Sequence, residues 1–119
     1  MTITTGNYGW KIDQAKETAA LVSLIKNGEQ TSREPEYSQK AASHSGNDYG
    51  NTYVEINLTA QHLYFYANGK LLVESDFVSG NAAKGWSTPA GAYSITYKQR
   101  NATLKGQGYA TPVSYWMPF

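Results

Sequence analysis

The sequence of 119 residues carries two histidines, nine carboxylates and no cysteine. Without a thiol, its own atoms supply no disulfide, no thiolate metal site and no thiol nucleophile. His44 lies in a stretch of small polar residues, and His62 stands beside Leu63 in a strand-like segment. A structural metal site needs about four converging ligands, and no cluster of that kind occurs, so no metal site is expected. Glu55, Glu74 and Asp76 fall on neighbouring predicted strands, where two carboxylates could in principle flank a glycosidic bond. Their spacing matches no motif, and charges solvated on a sheet face are the simpler expectation. The His62 ring is likewise expected to pack at a sheet surface. Ten Tyr, three Trp and three Phe remain as the richest chemical resource, suited to a core or to stacking on sugar rings.

The elements that must position these groups fit one domain, or one with a small appendage. A chain of this length can bury about 65% of its unfolded surface. The net charge of +1 gives no field that would gather a phosphate backbone, so nucleic acid is an unexpected partner. No apolar run approaches the ~20 residues that span a bilayer, and the first six residues lack the basic and apolar regions of a signal peptide. No membrane contact is expected from this segment.

Asp13 as a cap, Gly28 just past the end and Thr18, Leu21, Val22 and Ile25 at helical spacing predict an amphipathic helix over 13–26, packed on a small core. Residues 31–37 are polar and extended and predict a strand, with Pro35 restricting it to an edge or an irregular position. Residues 38–51 are rich in Ser, Ala, Gly and Asn and read as a loop or linker. Short alternating segments at 53–58, 62–66 and 71–78 predict strands, and Asn68-Gly69 predicts a tight type I′ hairpin turn. Residues 91–98 alternate Tyr93, Ile95 and Tyr97 with Ala92, Ser94 and Thr96, predicting a further strand. Beyond Arg100, Gly106, Gly108, Pro112 and Pro118 among aromatics predict a loop-rich tail. Asn57-Leu58-Thr59 and Asn101-Ala102-Thr103 match the glycosylation pattern without further support.

The run from Tyr53 to Lys70, YVEINLTAQHLYFYANGK, resembles the opening hairpin of the L,D-transpeptidase (YkuD) catalytic domain. Val78-Ser79-Gly80 and then Thr88-Pro89-Ala90-Gly91-Ala92-Tyr93-Ser94-Ile95 resemble that family's SG and TPxGxY segments, and the similarity continues through 97–108 and 112–119. Upstream, Thr5-Gly6-Asn7-Tyr8-Gly9-Trp10 and the helix after it resemble the end of the peptidoglycan-binding domain that precedes the catalytic domain in Gram-positive members. The resemblance thus implies the end of that domain at 1–45, a linker at 46–52 and an incomplete catalytic domain at 53–119. It implies a mainly β fold, part of the family's β-sandwich, with a short N-terminal α/β remnant.

The family's reaction needs a cysteine nucleophile, a histidine base and oxyanion donors, carried by a Gly-x-x-x-His segment and a Ser-His-Gly-Cys motif. Neither motif occurs in this sequence, so the resemblance transfers no catalytic residue and implies no activity of these residues alone. It makes Tyr115, Trp116, Met117 and Phe119 the candidates for a substrate-cleft wall, with core packing as their alternative role. It implies peptidoglycan stem peptides as partners, a reaction without metal or organic cofactor, and the outer side of a bacterial cell envelope as the location. Two other readings are a non-catalytic module that binds cell-wall glycan or peptide through exposed rings, and an inactive fragment.

Overall fold

A computed structural model describes residues 6–119; the opening residues 1–5, including Thr5 of the upstream resemblance, lie outside the described residues. The elements run β1 (Lys11–Ile12), α1 (Gln14–Asn27), β2 (Tyr37–Gln39), β3 (Tyr53–Asn57), β4 (His62–Ala67), β5 (Lys70–Asp76), a 3₁₀ turn (Ala82–Lys84), β6 (Gln99–Gly106) and β7 (Tyr109–Trp116). The fold is mainly β with one short α-helix, as expected. The described residues divide into two compact units: Gly9–Pro89, and Ala90–Phe119 with residues 6–8.

In the larger unit, α1 begins and ends where its caps dictate. The Asp13 carboxylate accepts from the Lys16 backbone N–H, and Gly28 takes the left-handed conformation at φ 66°. Gly28 N donates to Ile25 O at 3.2 Å and Glu29 N to Leu24 O at 3.0 Å, the paired bonds of a Schellman motif. The expected packing of its apolar face is absent: no α1 residue is buried, and Leu21, Val22 and Ile25 are exposed. Polar contacts hold the helix instead. Glu17 accepts from Arg33 at 2.9 Å and from the Glu36 backbone N–H at 2.8 Å. That second bond holds the Glu17 carboxyl below its ordinary pKa, opposed by desolvation and helped by Arg33.

The strand expected over 31–37 is shorter and later, pairing only from Tyr37 with β1. Pro35 has no N–H to give a ladder, and Glu36 N–H is committed to Glu17. Residues 38–51, expected as linker or loop, include the end of β2 and a loop folded against Trp10. Trp10 Nε1 donates to Ser43 O at 2.8 Å, and the Trp10 and His44 rings stack with centroids 3.6 Å apart.

The central sheet of this unit is antiparallel in the order β3-β4-β5. Asn68 and Gly69 have φ 50° and 76°, the positive pair that a type I′ turn requires. Register pairs Tyr53 with Tyr66 and Val54 with Phe65, then Phe65 with Val73 after a bulge between Phe65 and Tyr66. Alternation therefore gives one face Tyr53, Glu55, His62, Tyr64, Tyr66, Glu74 and Asp76, and the other Val54, Ile56, Leu63, Phe65 and Val73.

In the smaller unit, β6 and β7 form a two-stranded hairpin with Gly106 opposite Tyr109 and a two-residue turn at Gln107 and Gly108. This corrects the loop-rich tail expected beyond Arg100. Residues 91–98, in turn, form no strand among the described residues, which corrects the strand expected there. Their backbone bonds are isolated: Ala92 O accepts from Tyr8 N at 3.1 Å, and Thr96 N donates to Pro118 O at 2.8 Å.

Burial is sparse throughout. Ala102 is the one buried apolar residue among the described residues. The chain exposes 9559 Å². Two compact bodies sharing its mass in proportion to their lengths would expose about 7,600 Å². Local hydrogen bonding, turn chemistry and ring contacts, more than a core, define the elements.

Candidate functional site

The four candidate cleft residues gather at the end of β7, in the smaller unit. Tyr115 and Trp116 are its last strand residues and so face opposite sides of the hairpin; Met117 and Phe119 follow it. Tyr115 is 63% exposed, and the Arg100 guanidinium, its register partner, lies 5.4 Å from the ring centroid. Trp116 turns the other way and donates from Nε1 to the Tyr97 hydroxyl at 3.0 Å. Phe119 meets Tyr93 with ring centroids 5.6 Å apart, and the Tyr93 hydroxyl donates to Ala90 O at 3.3 Å. The Thr96–Pro118 backbone bond lies between these two ring pairs and fixes the 93–97 stretch beside 116–119. Trp116 and Phe119 are thus tied to tyrosines of that stretch, and Phe119, like Tyr115 and Met117, is exposed. This aromatic wall offers ring faces, a hydroxyl and one guanidinium, which suit binding; it presents no nucleophile.

A second constellation lies on the polar face of the central sheet. His62 Nδ1 is 2.7 Å from Asp76 Oδ1, its register partner, and Nε2 is 3.6 Å from Glu74 Oε2. The Asp76 hydrogen bond raises the imidazole pKa above its ordinary value; desolvation lowers it, and Glu74 adds to the rise. The sequence placed this ring at a sheet surface but missed its partners. An unbulged hairpin would set Ser75 opposite His62, and the bulge at Phe65 brings Asp76 there instead. Glu74 and Asp76 are solvated sheet-face charges, as expected, and they also clamp β5 to β4. No group of three or more metal-ligating side chains is suited to an ion among the described residues.

Sequence reasoning also missed Gln61. This residue holds φ 54°, a left-handed conformation that side chains other than Gly, Asn and Asp seldom take. Its amide nitrogen donates to Leu58 O at 2.5 Å and to Ser79 Oγ at 2.9 Å, and its oxygen accepts from Ser79 N at 2.7 Å. Phe77 N donates to the Gln61 carbonyl at 2.9 Å. One residue therefore staples the β3–β4 turn to the segment leaving β5. The only sequence signal was a lone polar amide after the Leu-Thr-Ala turn. Gly80 N then donates to Thr88 Oγ1 at 2.9 Å, closing the loop that follows.

Residues 51–117 match the family model of the L,D-transpeptidase catalytic domain. No curated protein matches the sequence. Among solved structures, the chain is similar to a cysteine-to-serine variant of an Enterococcus faecium L,D-transpeptidase, with 37% identity and a TM-score of 0.78 over 99% of this chain and 48% of that one. It is equally similar to the Ldtfm–avibactam carbamoyl enzyme, with 37% identity and a TM-score of 0.78 over 99% of this chain and 47% of that one. The chain thus spans about half the length of these structures. Its strand-rich fold, its hairpins and the ordered segments from Tyr53 onward agree with that likeness, and the chain belongs to the L,D-transpeptidase catalytic-domain family.

Proposed function

We propose that this chain is part of an L,D-transpeptidase that cross-links peptidoglycan stem peptides in a bacterial cell envelope by cysteine acyl transfer, with the nucleophile and its histidine supplied from outside these residues. The observation that carries this reading is the family match over 51–117, together with 37% identity to a transpeptidase across 99% of the chain. Residues 1–45 would then close the preceding peptidoglycan-binding domain and 46–52 link it to the catalytic part. Tyr115, Trp116, Met117 and Phe119 would form one wall of the donor-peptide cleft. Chemistry fits that division of labour: acyl transfer demands a thiolate, and this sequence has none.

The test is a protein in which the chain continues through its genomic downstream sequence, incubated with disaccharide-tetrapeptide and read by mass spectrometry. Cross-linked dimer that disappears when the downstream cysteine is replaced by alanine is the expected result. A folded extended protein that forms no acyl-enzyme and no dimer would defeat the proposal. The exposed rings favour a second reading, a non-catalytic wall-binding module. Co-sedimentation of the 119-residue chain with purified peptidoglycan, against cellulose as control, separates that reading from an inert fragment.

A further inference from the structure

The chain has two arginines, and they are engaged differently. Arg33 is committed inside the protein: its guanidinium donates to Glu17 Oε2 and to the Glu34 carbonyl, each at 2.9 Å. Arg100 makes no hydrogen bond or ion pair among the described residues, and its contact is with the Tyr115 ring, 5.4 Å away. Both members of this pair are exposed. Register fixes the pair, because Arg100 and Tyr115 stand opposite each other in the β6–β7 ladder. Asn101, next along β6, holds φ 52°, and the ladder has no pair between it and Ser114. That left-handed step interrupts the strand just after Arg100, and backbone outliers of this kind gather at ligand clamps and active sites. Charge points the same way. Residues 90–119 hold three of the chain's ten cationic side chains, Lys98, Arg100 and Lys105, and none of its nine Asp and Glu.

A guanidinium presents five N–H groups in one plane. A ring on one side of it engages the part that faces the ring, so an edge of two N–H groups is still open to water. The ring also narrows the positions that the long side chain samples, which lowers the entropy cost of a bound geometry. Two parallel N–H groups match the two oxygens of a carboxylate. Arg100 has no acidic side chain of its own stretch to release first. Met117 and Phe119, both exposed, add apolar surface at the same end of the hairpin. The ligand that fits is a short peptide with a terminal acid, its side chains on the apolar surface and its carboxylate in the fork.

We infer that Arg100, supported by the Tyr115 ring, binds the free C-terminal carboxylate of a stem peptide and so selects peptides that end in an acid. Choosing a stem peptide rests on the cell-wall reading proposed above; the geometry itself asks for a carboxylate beside exposed apolar surface. Arg100 thereby joins the candidate wall at the end of β7 as the residue that sets its preference for charge.

The experiment is an NMR titration of the nitrogen-15-labelled 119-residue chain, with the Arg100 Nε–H identified as the resonance missing from Arg100→Lys. The probe is the tetrapeptide L-alanyl-D-isoglutaminyl-L-lysyl-D-alanine, compared with its C-terminal amide; the isoglutamine leaves the C-terminus as the peptide's one acidic group. The acid is expected to shift the Arg100 Nε–H and the Tyr115 and Met117 amides. It should bind about two- to fivefold more tightly than the amide, the range for an exposed ion pair. Arg100→Gln should weaken the acid to the level of the amide, with the Gly106 and Gly108 amide shifts unchanged to show that the hairpin turn is intact. Arg100→Lys, which keeps the charge without the fork, should retain part of the preference. Equal binding of acid and amide, no response to the acid, a preference that survives Arg100→Gln, shifts confined to residues 9–89, or a stronger response to glycerol phosphate than to the acid would each overturn the inference. Should Arg100→Gln fail to fold, the Nε–H shift and the acid-to-amide ratio in the unaltered chain decide the matter. An intact preference beside an extended protein that forms no cross-linked dimer would defeat the transpeptidase reading alone, so the two proposals fail separately.

Discussion

Replacing Gln61 tests how one strained residue organises the larger unit. Its side chain makes three hydrogen bonds, two of them to Ser79, in a part-buried setting. At about 1 kcal/mol for each net bond, Gln61→Ala should destabilise the unit by roughly 2–3 kcal/mol. Alanine at φ 54° keeps the left-handed penalty, whereas glycine relieves about 1 kcal/mol of it. Gln61→Gly should therefore be the milder change by about 1 kcal/mol, although it removes the same side chain. The assay is amide hydrogen exchange on the 119-residue chain. In both variants the Ser79 amide should lose its protection, while the Asn68–Gly69 end of the hairpin keeps its own. A Ser79 amide that stayed protected in Gln61→Ala, or glycine and alanine variants of equal stability, would refute the account of Gln61 as a strained staple.

The His62 clamp has a defined pH sign. Its pKa is raised in the folded state, so the clamp contributes fully below the unfolded value near 6.5 and is lost as pH rises through the higher folded value. Carbon-detected titration of the ring should show this midpoint falling in Asp76→Asn, and β5 amides should exchange faster above it; an unmoved midpoint would remove Asp76 as the cause. At the end of α1, Gly28 holds φ 66° with open space where a Cβ would stand, so Gly28→Ala should cost about 1 kcal/mol through backbone strain alone. Circular dichroism would register the loss of helix, and an unchanged spectrum and stability would mean that the Schellman motif does not limit α1.

Legibility in the sequence followed locality. Asp13, Gly28 and Asn68-Gly69 act on their immediate neighbours, and each structure they predicted is present. Pairing was harder to read. The alternation over 91–98 predicted a strand that is not formed there, because period two says nothing about a partner strand. Pro112 argued against a strand where β7 runs, yet a two-stranded ribbon leaves one side of each strand without a ladder, so a residue lacking an N–H is tolerated there. The candidate wall was named through a family likeness. Its geometry, with Trp116 on Tyr97 and Phe119 on Tyr93, depends on a contact between 93–97 and 116–119 that no local pattern encodes. The His62 partners depended on a bulge, which moves the register by one residue without a mark in composition.

The sparse burial has a thermodynamic signature. An unfolded chain of this mass exposes about 19,000 Å², so folding to 9559 Å² removes about 9,400 Å² from water, some four fifths of what two compact bodies would remove. Both the denaturant slope and the heat-capacity step of unfolding scale with that area. The 119-residue chain should therefore melt over a broad range with a shallow urea dependence, and anything that covers the Val54, Ile56 and Val73 face should reveal itself first as a sharper transition.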